Sequence, residues 1–256
     1  MIRIYLTGRI AVEHDGTLAF DESALPGRQG RVLFVYLATR LHDPVPRADL
    51  EEVLWGDSQP AGAQAALSAL LSRLRSLLRK PPLGADISVD HGSLGLRFGS
   101  AVWLDIEAAA NAVDEAEGAA RRGDARAAWS HANVAAAIAG RAFLAGEEAP
   151  WIEVRRQRLS AALIRALECL SAVSAGTGEL TAAVHHAEQV VALDPLRESA
   201  YERLMRLHVT MGNGAGALRA FADCRERLRD DLGASPSPSL ERLHLAVLRG
   251  EPISGS

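Results

Sequence analysis

Lysine is almost missing from this chain. Lys80 is the only one, and Pro81 follows it. A phosphate-cradling G-x-x-x-x-G-K-[ST] loop is therefore impossible, which excludes an ATPase of that class. Cysteine is nearly as scarce. Cys169 and Cys224 are the only two, both within helical patterns. That excludes a secreted disulfide scaffold and predicts two buried, small apolar side chains. No apolar run approaches the length of a membrane span. The opening residues, MIRIYLTGRIAV, lack an apolar core and a cleavage-like site. No signal peptide is expected, and the protein is expected to be cytoplasmic. An overall basic balance is also missing, since the net charge is −4. Any contact with nucleic acid must come from a local patch.

Catalytic groupings are missing as well. His185 and His186 are neighbours on a helical pattern, so they point about 100° apart and cannot form one metal-binding face. Asp230-Asp231 and Glu147-Glu148 are adjacent in sequence, not set across a cleft. Ser72 has no G-x-S-x-G setting. The expectation is a protein that is not an enzyme and holds no metal or cofactor.

What is present suffices for real cores. Of 256 residues, 48% are hydrophobic and 23% charged, which suits one large or two ordinary domains. Residues 1–25 alternate, with Ile2, Ile4 and Leu6, then Ile10 and Val12, then Leu18 and Phe20. Asp15-Gly16 is a two-residue hairpin signal, and a small antiparallel sheet of three or four strands is predicted. Leu33, Tyr36, Leu37 and Leu41 predict a helix over Arg31–Leu41. A second helix is predicted from Pro46 to Trp55, with Gly56 as its C-cap. Ser58 is the predicted N-cap of a third, with Pro60 in its first turn.

That third helix, Gln64 to Lys80, carries a stripe of Leu67, Leu70, Leu71, Leu74, Leu77 and Leu78. Ala65, Ala69, Ser72 and Ser76 fall on the opposite face, flanked by Arg75 and Arg79 on one side and Arg73 and Lys80 on the other. No acid interrupts residues 61–80. A ridge of small side chains lets a backbone approach closely, and the bordering cations can neutralise phosphates. A DNA major groove asks for such a face. Taken alone, a basic helix reads equally as a solvated surface. The context argues otherwise, because Ile87–Val89 and Leu94–Phe98 bracket Asp90-His91-Gly92-Ser93 as a short hairpin. Sheet, helix, helix, basic helix and hairpin is the order of a winged helix-turn-helix.

From Asp105 onward the chain is helical and alanine-rich. Helices are predicted at Ile106–Arg121, Asp124–Ile138, Ala149–Ala175, Glu179–Leu193, Glu198–Met211, Ala215–Leu232 and Pro238–Leu248. A 34-residue period links Gly178 with Gly212, Ala183 with Ala217, Leu170 with Leu204 and Ala166 with Ala200. That is the tetratricopeptide period, so a stacked helical array is predicted. Trp55, Trp103, Trp129 and Trp151 are expected as core or domain-interface aromatics, with Trp151 in a position to stack on an arginine. Pro236 and Pro238 are expected to stiffen a connection between helices.

The motifs VLWG (Val53 to Gly56), SRLR (Ser72 to Arg75) and GLRF (Gly95 to Phe98) resemble the DNA-binding domain of the Streptomyces antibiotic regulatory protein family, whose winged helix is similar to that of OmpR-type response regulators. PWIEVRRQRL (Pro150 to Leu159), DPLRE around Pro195 and LGASPSPSL (Leu232 to Leu240) resemble the bacterial transcriptional activator domain that follows it in that family. The resemblance implies a mainly α protein: a winged-helix domain at 1–104, a tetratricopeptide-like helical domain at 105–250 and a tail at 251–256. It further implies an activator that binds double-stranded promoter DNA as a homodimer. Ser68, Ala69 and Ser72 would face the bases, Arg73, Arg75, Arg79 and Lys80 the phosphates, and Gln64 and Ser76 would belong to the same DNA-binding face. His91, Gly92, Ser93 and Arg97 would form the wing contact. RNA polymerase would be recruited through its σ and α subunits, with Gly56, Asp57, Ser58, Gln59 and Pro60 as the candidate contact loop. No membrane is implied. The thin polar content of residues 64–69 and the lack of basic excess in 1–104 motivate an alternative, a protein-interaction scaffold whose DNA-binding domain is degenerate.

Overall fold

The computed structural model describes residues 1–56 and 58–252. It is mainly helical and forms two compact units. One comprises Met1–Ala110 and Ile138–Leu159; the other comprises Asn111–Ala137 and the chain from Ser160 onward.

The first unit opens with β1 (Ile2–Tyr5), β2 (Ala11–His14) and β3 (Thr17–Asp21). Asp15 and Gly16 both take positive φ, 50° and 80°, in the two-residue turn between β2 and β3. The alternation buries Ile2, Ile4, Val12 and Phe20. The fourth strand is not local. A three-residue strand, Val102–Leu104, runs parallel to β1 with Ile2 opposite Val102 and Ile4 opposite Leu104. The sheet is therefore mixed, where the sequence predicted an antiparallel one. Three residues are too few to show a period of two, and the partner strand lies a hundred residues earlier.

Helix α1 (Gly27–Ala38) starts and stops earlier than predicted. Its first turn holds no large apolar residue, so periodicity could not find it. Thr39 ends it, its hydroxyl donating to the Tyr36 carbonyl at 2.8 Å. A short strand β4 (Val45–Pro46) leads into α2 (Arg47–Trp55). The expected glycine cap holds: Gly56, at φ 52°, donates its N–H to the Glu52 carbonyl at 2.7 Å. Helix α3 (Ala63–Leu78) begins later than predicted, capped by Gly62 without a side-chain bond. Ser58 is not its cap. The Ser58 N–H instead donates to Trp55 at the end of α2, and the Ala63 N–H donates to the Pro60 carbonyl. Backbone bonds close this turn, so Pro60 lies outside the helix.

Strands β5 (Asp86–Asp90) and β6 (Ser93–Arg97) form the hairpin, and β4 joins them in the order β4-β6-β5. The Val102–Leu104 strand is β7, and α4 (Asp105–Arg121) follows at once. Asp105 is fully buried. One carboxylate oxygen accepts from the N–H groups of Leu6 and Thr7 at 2.9 Å and from the Thr7 hydroxyl at 2.8 Å; the other accepts from the Ile106 N–H. Burial pushes its pKa above the usual carboxylate value, against the pull of those four donors.

The remaining helices are α5 (Ala125–Ala139), α6 (Pro150–Gly176), α7 (Leu180–Leu193), α8 (Glu198–Thr210), α9 (Gly214–Leu232) and α10 (Pro238–Arg249). The return of Ile138–Leu159 to the first unit is visible in its contacts. Gly8 donates to Ala142, Thr7 bridges Phe143, and Trp151 meets Tyr36 and Phe143 edge-on, with centroids 4.9 and 6.3 Å apart. Trp151 thus packs on rings, where the sequence suggested a cation. Trp129 departs further from expectation, at 53% exposed on α5.

In the second unit the 34-residue period has a physical meaning. Ala183 and Ala217 are both fully buried, and Gly178 and Gly212 both turn the chain at positive φ. Methyl-sized side chains at equivalent positions let paired helices approach. Tyr201, Met205, Phe221 and Cys224 fill the core around them. Cys169 and Cys224 are free and buried, and burial pushes the Cys224 thiol up to about 11. The sequence predicted no run of membrane-spanning length. Among the described residues α6 alone is long and apolar enough to qualify, with a window of mean hydropathy 1.4, half of it buried within the protein. Its alanines serve packing: Ala166 lies in a cluster with Ala112, Val113 and Ala135.

Candidate nucleic-acid interface

The leucine stripe anchors α3. Leu67, Leu70, Leu71, Leu74 and Leu78 are buried, each at most 8% exposed, and Leu77 is half-buried. The opposite side is open. Gln64, Ala65, Ser68, Ala69, Ser72, Arg73, Ser76, Arg79 and Lys80 are all exposed. Burying the leucines costs no polar group, and it turns the small-residue crest outward.

The cations divide into three kinds. Arg73 and Lys80 have no side-chain partner among the described residues. Arg75 is half-buried, and its Nε makes a long bond of 3.4 Å to the Ile87 carbonyl on β5. Arg79 is engaged: its Nη2 lies 2.7 Å from Asp86 Oδ2. That guanidinium holds the Asp86 carboxyl below its ordinary value. Part of the Arg79 charge is thus offset by an internal carboxylate. The balance of residues 1–104, with eleven Lys/Arg and eleven Asp/Glu, makes this local arrangement matter more than the total.

Two of the crest hydroxyls bond back to the helix itself. Ser68 donates to the Gln64 carbonyl at 2.8 Å and Ser76 to the Ser72 carbonyl at 3.0 Å. In these positions each keeps only acceptor capacity toward a ligand. Ser68 has a further partner that sequence reasoning missed. Arg47, the first residue of α2, donates from Nη2 to Ser68 Oγ at 2.7 Å and to the Gln64 carbonyl at 3.4 Å. Arg47 adds a half-buried cation at the N-terminal end of α3. No spacing in the sequence connects residue 47 with residue 68; only the approach of α2 to α3 does so.

The wing tip is tied to the same place. His91 and Gly92 take φ of 47° and 83° in a two-residue turn between β5 and β6. Gly92 accepts a bond from the Arg47 N–H at 3.1 Å. One arginine therefore touches the wing through its backbone and the crest of α3 through its side chain. His91 is almost wholly exposed, with Nδ1 2.7 Å from Asp90 Oδ1. Arg97 is exposed and donates to Ser88 Oγ at 3.3 Å, and Ser93 pairs with Asp90 in the hairpin register. Val89 adds an exposed apolar side chain to this strand pair, at 61%. The α3 crest and the His91-Gly92 tip are thus joined by Arg47, while Arg75 lies half-buried against β5 and Arg97 sits opposite Asp86 at the end of the hairpin away from the tip.

The predicted contact loop is exposed at Gly56, Ser58, Gln59 and Pro60; Asp57 lies outside the described residues. Among the described residues, no three His, Cys, Asp or Glu side chains gather in a way that could hold a metal ion.

Comparison with known proteins adds a family and a fold. Residues 104–248 match the family described as the bacterial transcriptional activator domain. The regulatory protein AfsR of Streptomyces coelicolor is 30% identical over 98% of this chain, but only 24% of AfsR is covered. The regulatory protein DnrI of Streptomyces peucetius is 25% identical, with 98% of this chain and 93% of DnrI covered. The chain therefore spans about a quarter of AfsR and nearly all of DnrI. Among solved structures, Mycobacterium tuberculosis EmbR in complex with a low-affinity phosphopeptide superposes with a TM-score of 0.83, covering 99% of this chain and 66% of that one at 22% identity.

Proposed function

Because the chain belongs to the bacterial transcriptional activator domain family, as the regulators of the Streptomyces antibiotic regulatory protein type do, we propose that it is a sequence-specific DNA-binding activator. Helix α3 enters the major groove with its small-residue crest. Arg73 and Lys80 neutralise phosphates along one flank, Arg47 does so at the N-terminal end, and the His91-Gly92 tip approaches the minor groove. The carrying observation is the acid-free, outward-facing α3 ridge, whose N-terminal end and wing tip share Arg47.

In this reading the functional division falls at 104/105. The protein acts in the cytoplasm as a homodimer, and RNA polymerase is recruited through its σ and α subunits at the loop from Gly56 to Pro60. The target is a promoter of a pathway or secondary-metabolite gene cluster. Anisotropy titrations against selected genomic fragments, across a salt series, test the DNA step. Arg73→Ala is expected to reduce the salt slope by about 1. Arg75→Ala is expected to change it less, since that side chain is half-buried. If both variants match the parent, α3 is not the contact surface.

The even charge balance of residues 1–104 and the engagement of Arg79 by Asp86 favour one other reading, a protein-interaction scaffold with a degenerate DNA-binding domain. Sequence-selective retardation of DNA at physiological salt would eliminate it.

A further inference from the structure

A cavity of about 560 Å³ lies wholly within the first unit, walled by α1, α2 and the segment at 148–151. Its volume falls in the range of small-molecule sites, roughly 300–1,000 Å³. Three aromatic residues line it. Tyr36 and Trp151 meet edge-on at 4.9 Å, and Trp55 joins them from the end of α2. Three carboxylates line it too: Asp49, Glu52 and Glu148. All three are exposed, and none has an ion pair or side-chain hydrogen bond among the described residues.

The neighbouring Glu147 shows how different that is. It is 3% exposed and accepts from Arg28 Nε at 2.6 Å and Arg31 Nη2 at 2.7 Å. Arg28, which also lines the cavity, shares that carboxylate with Arg31, and the cluster's one net positive charge is outweighed by the three lining carboxylates. Asp49 and Glu52 stand three residues apart on α2, where like charges repel. A cation between them would relieve that repulsion. The aromatic faces favour an organic cation over a hydrated metal, because ring faces attract a weakly hydrated positive charge. The Tyr36 ring already takes one: the Arg40 guanidinium carbon sits 5.6 Å from its centroid.

We propose that this cavity is a ligand site for a small organic cation, an amine or quaternary ammonium carried on an apolar or aromatic body. Gly56 and Ser58 also line it. Occupancy therefore bears directly on the loop at 56–60. The site does not depend on DNA binding.

The test uses the full chain and phenethyltrimethylammonium as the probe, followed by tryptophan fluorescence and calorimetry. Saturable one-site binding is expected, weakened about tenfold or more in the Asp49→Asn, Glu52→Gln, Glu148→Gln triple variant. The neutral analogue 2-phenylethanol is expected to bind the parent at least about tenfold more weakly than the probe. Trp55→Leu, which leaves every charge in place, is expected to weaken the probe about threefold or more. Non-saturable quenching would overturn the proposal. So would equal affinity in parent and triple variant, or displacement of the probe by stoichiometric Mg²⁺. Circular dichroism melting of each variant shows that a loss of binding is not a loss of fold.

Discussion

In the second unit, several arginine side chains end on carboxylates. Arg165 of α6 donates to Glu117 and Asp114 of α4 at 2.7–2.8 Å, and those two acids hold its pKa above the ordinary arginine value. Arg197 donates to Glu168 at 2.9 Å, and Arg229 to Asp230 at 2.8 Å. On and just beyond α3 of the first unit, Arg73 and Lys80 pair with no acid among the described residues. The same charge thus does two kinds of work. In the array it joins carboxylates of another element, as Arg165 does, or of its own helix, as Arg229 does, where each exposed pair contributes little. On α3 it stays available to a polyanion, where each contact releases counterions. Arginine content alone separates these roles poorly.

Four measurements sharpen or break that contrast. The largest effect comes from beneath the ridge. Leu74 is fully buried, and Leu74→Ala is expected to lower unfolding stability by about 3 kcal/mol in denaturant titrations. An unchanged midpoint would mean that the stripe does not anchor α3.

Next comes the ridge itself. The double variant Arg73→Ala, Lys80→Ala should lower the slope of log K against log salt by about 1.8 and leave stability within about 0.5 kcal/mol of the parent. A stability loss with no change in slope would assign these cations to the ion-paired class.

The array supplies the converse. Arg165→Ala is expected to cost about 1 kcal/mol of stability, since all three partners are at least one-third exposed, while DNA affinity stays within about twofold. The smallest effect is at the boundary between the classes. Asp86→Asn releases Arg79 and removes a negative charge beside it, so DNA affinity should rise about two- to threefold. Because Arg79 lowers the Asp86 pKa from 3.8, the parent carboxylate stays charged at every pH above that value. The gain should therefore be flat from about pH 6 to about pH 8. An affinity that falls would show that the pair orients Arg79 for its contact.

Much of this fold was legible beforehand. The seven helices after Asp105 fall within about two residues of their predicted ends, because each has a strong apolar period and a glycine or proline beside it. The α3 stripe, the Gly56 cap and the 34-residue repeat were equally plain. The missed features share a cause. The β7 pairing, the Arg47–Ser68 bond and the Glu147 clasp on Arg28 and Arg31 each join residues far apart in sequence, by 21 to 119 positions where side chains bond. The late start of α3 was missed for a local reason, since backbone bonds outcompeted the Ser58 cap. Trp129 was misjudged because an aromatic residue on a predicted helix carries no mark of which side faces water.

The sequence by itself determined which helices form, which side of α3 carries leucine, and that no acid lies between residues 61 and 80. These properties depend on neighbours three, four or seven positions away, and short-range spacing encodes them. Only the tertiary structure decided which cations remain available. Asp86 reaches Arg79, no acid among the described residues pairs with Arg73, and Arg47 arrives beside Ser68 because α2 packs against α3. A charge is free or engaged according to what folding brings within about 3 Å of it, and no local pattern in the chain records that distance.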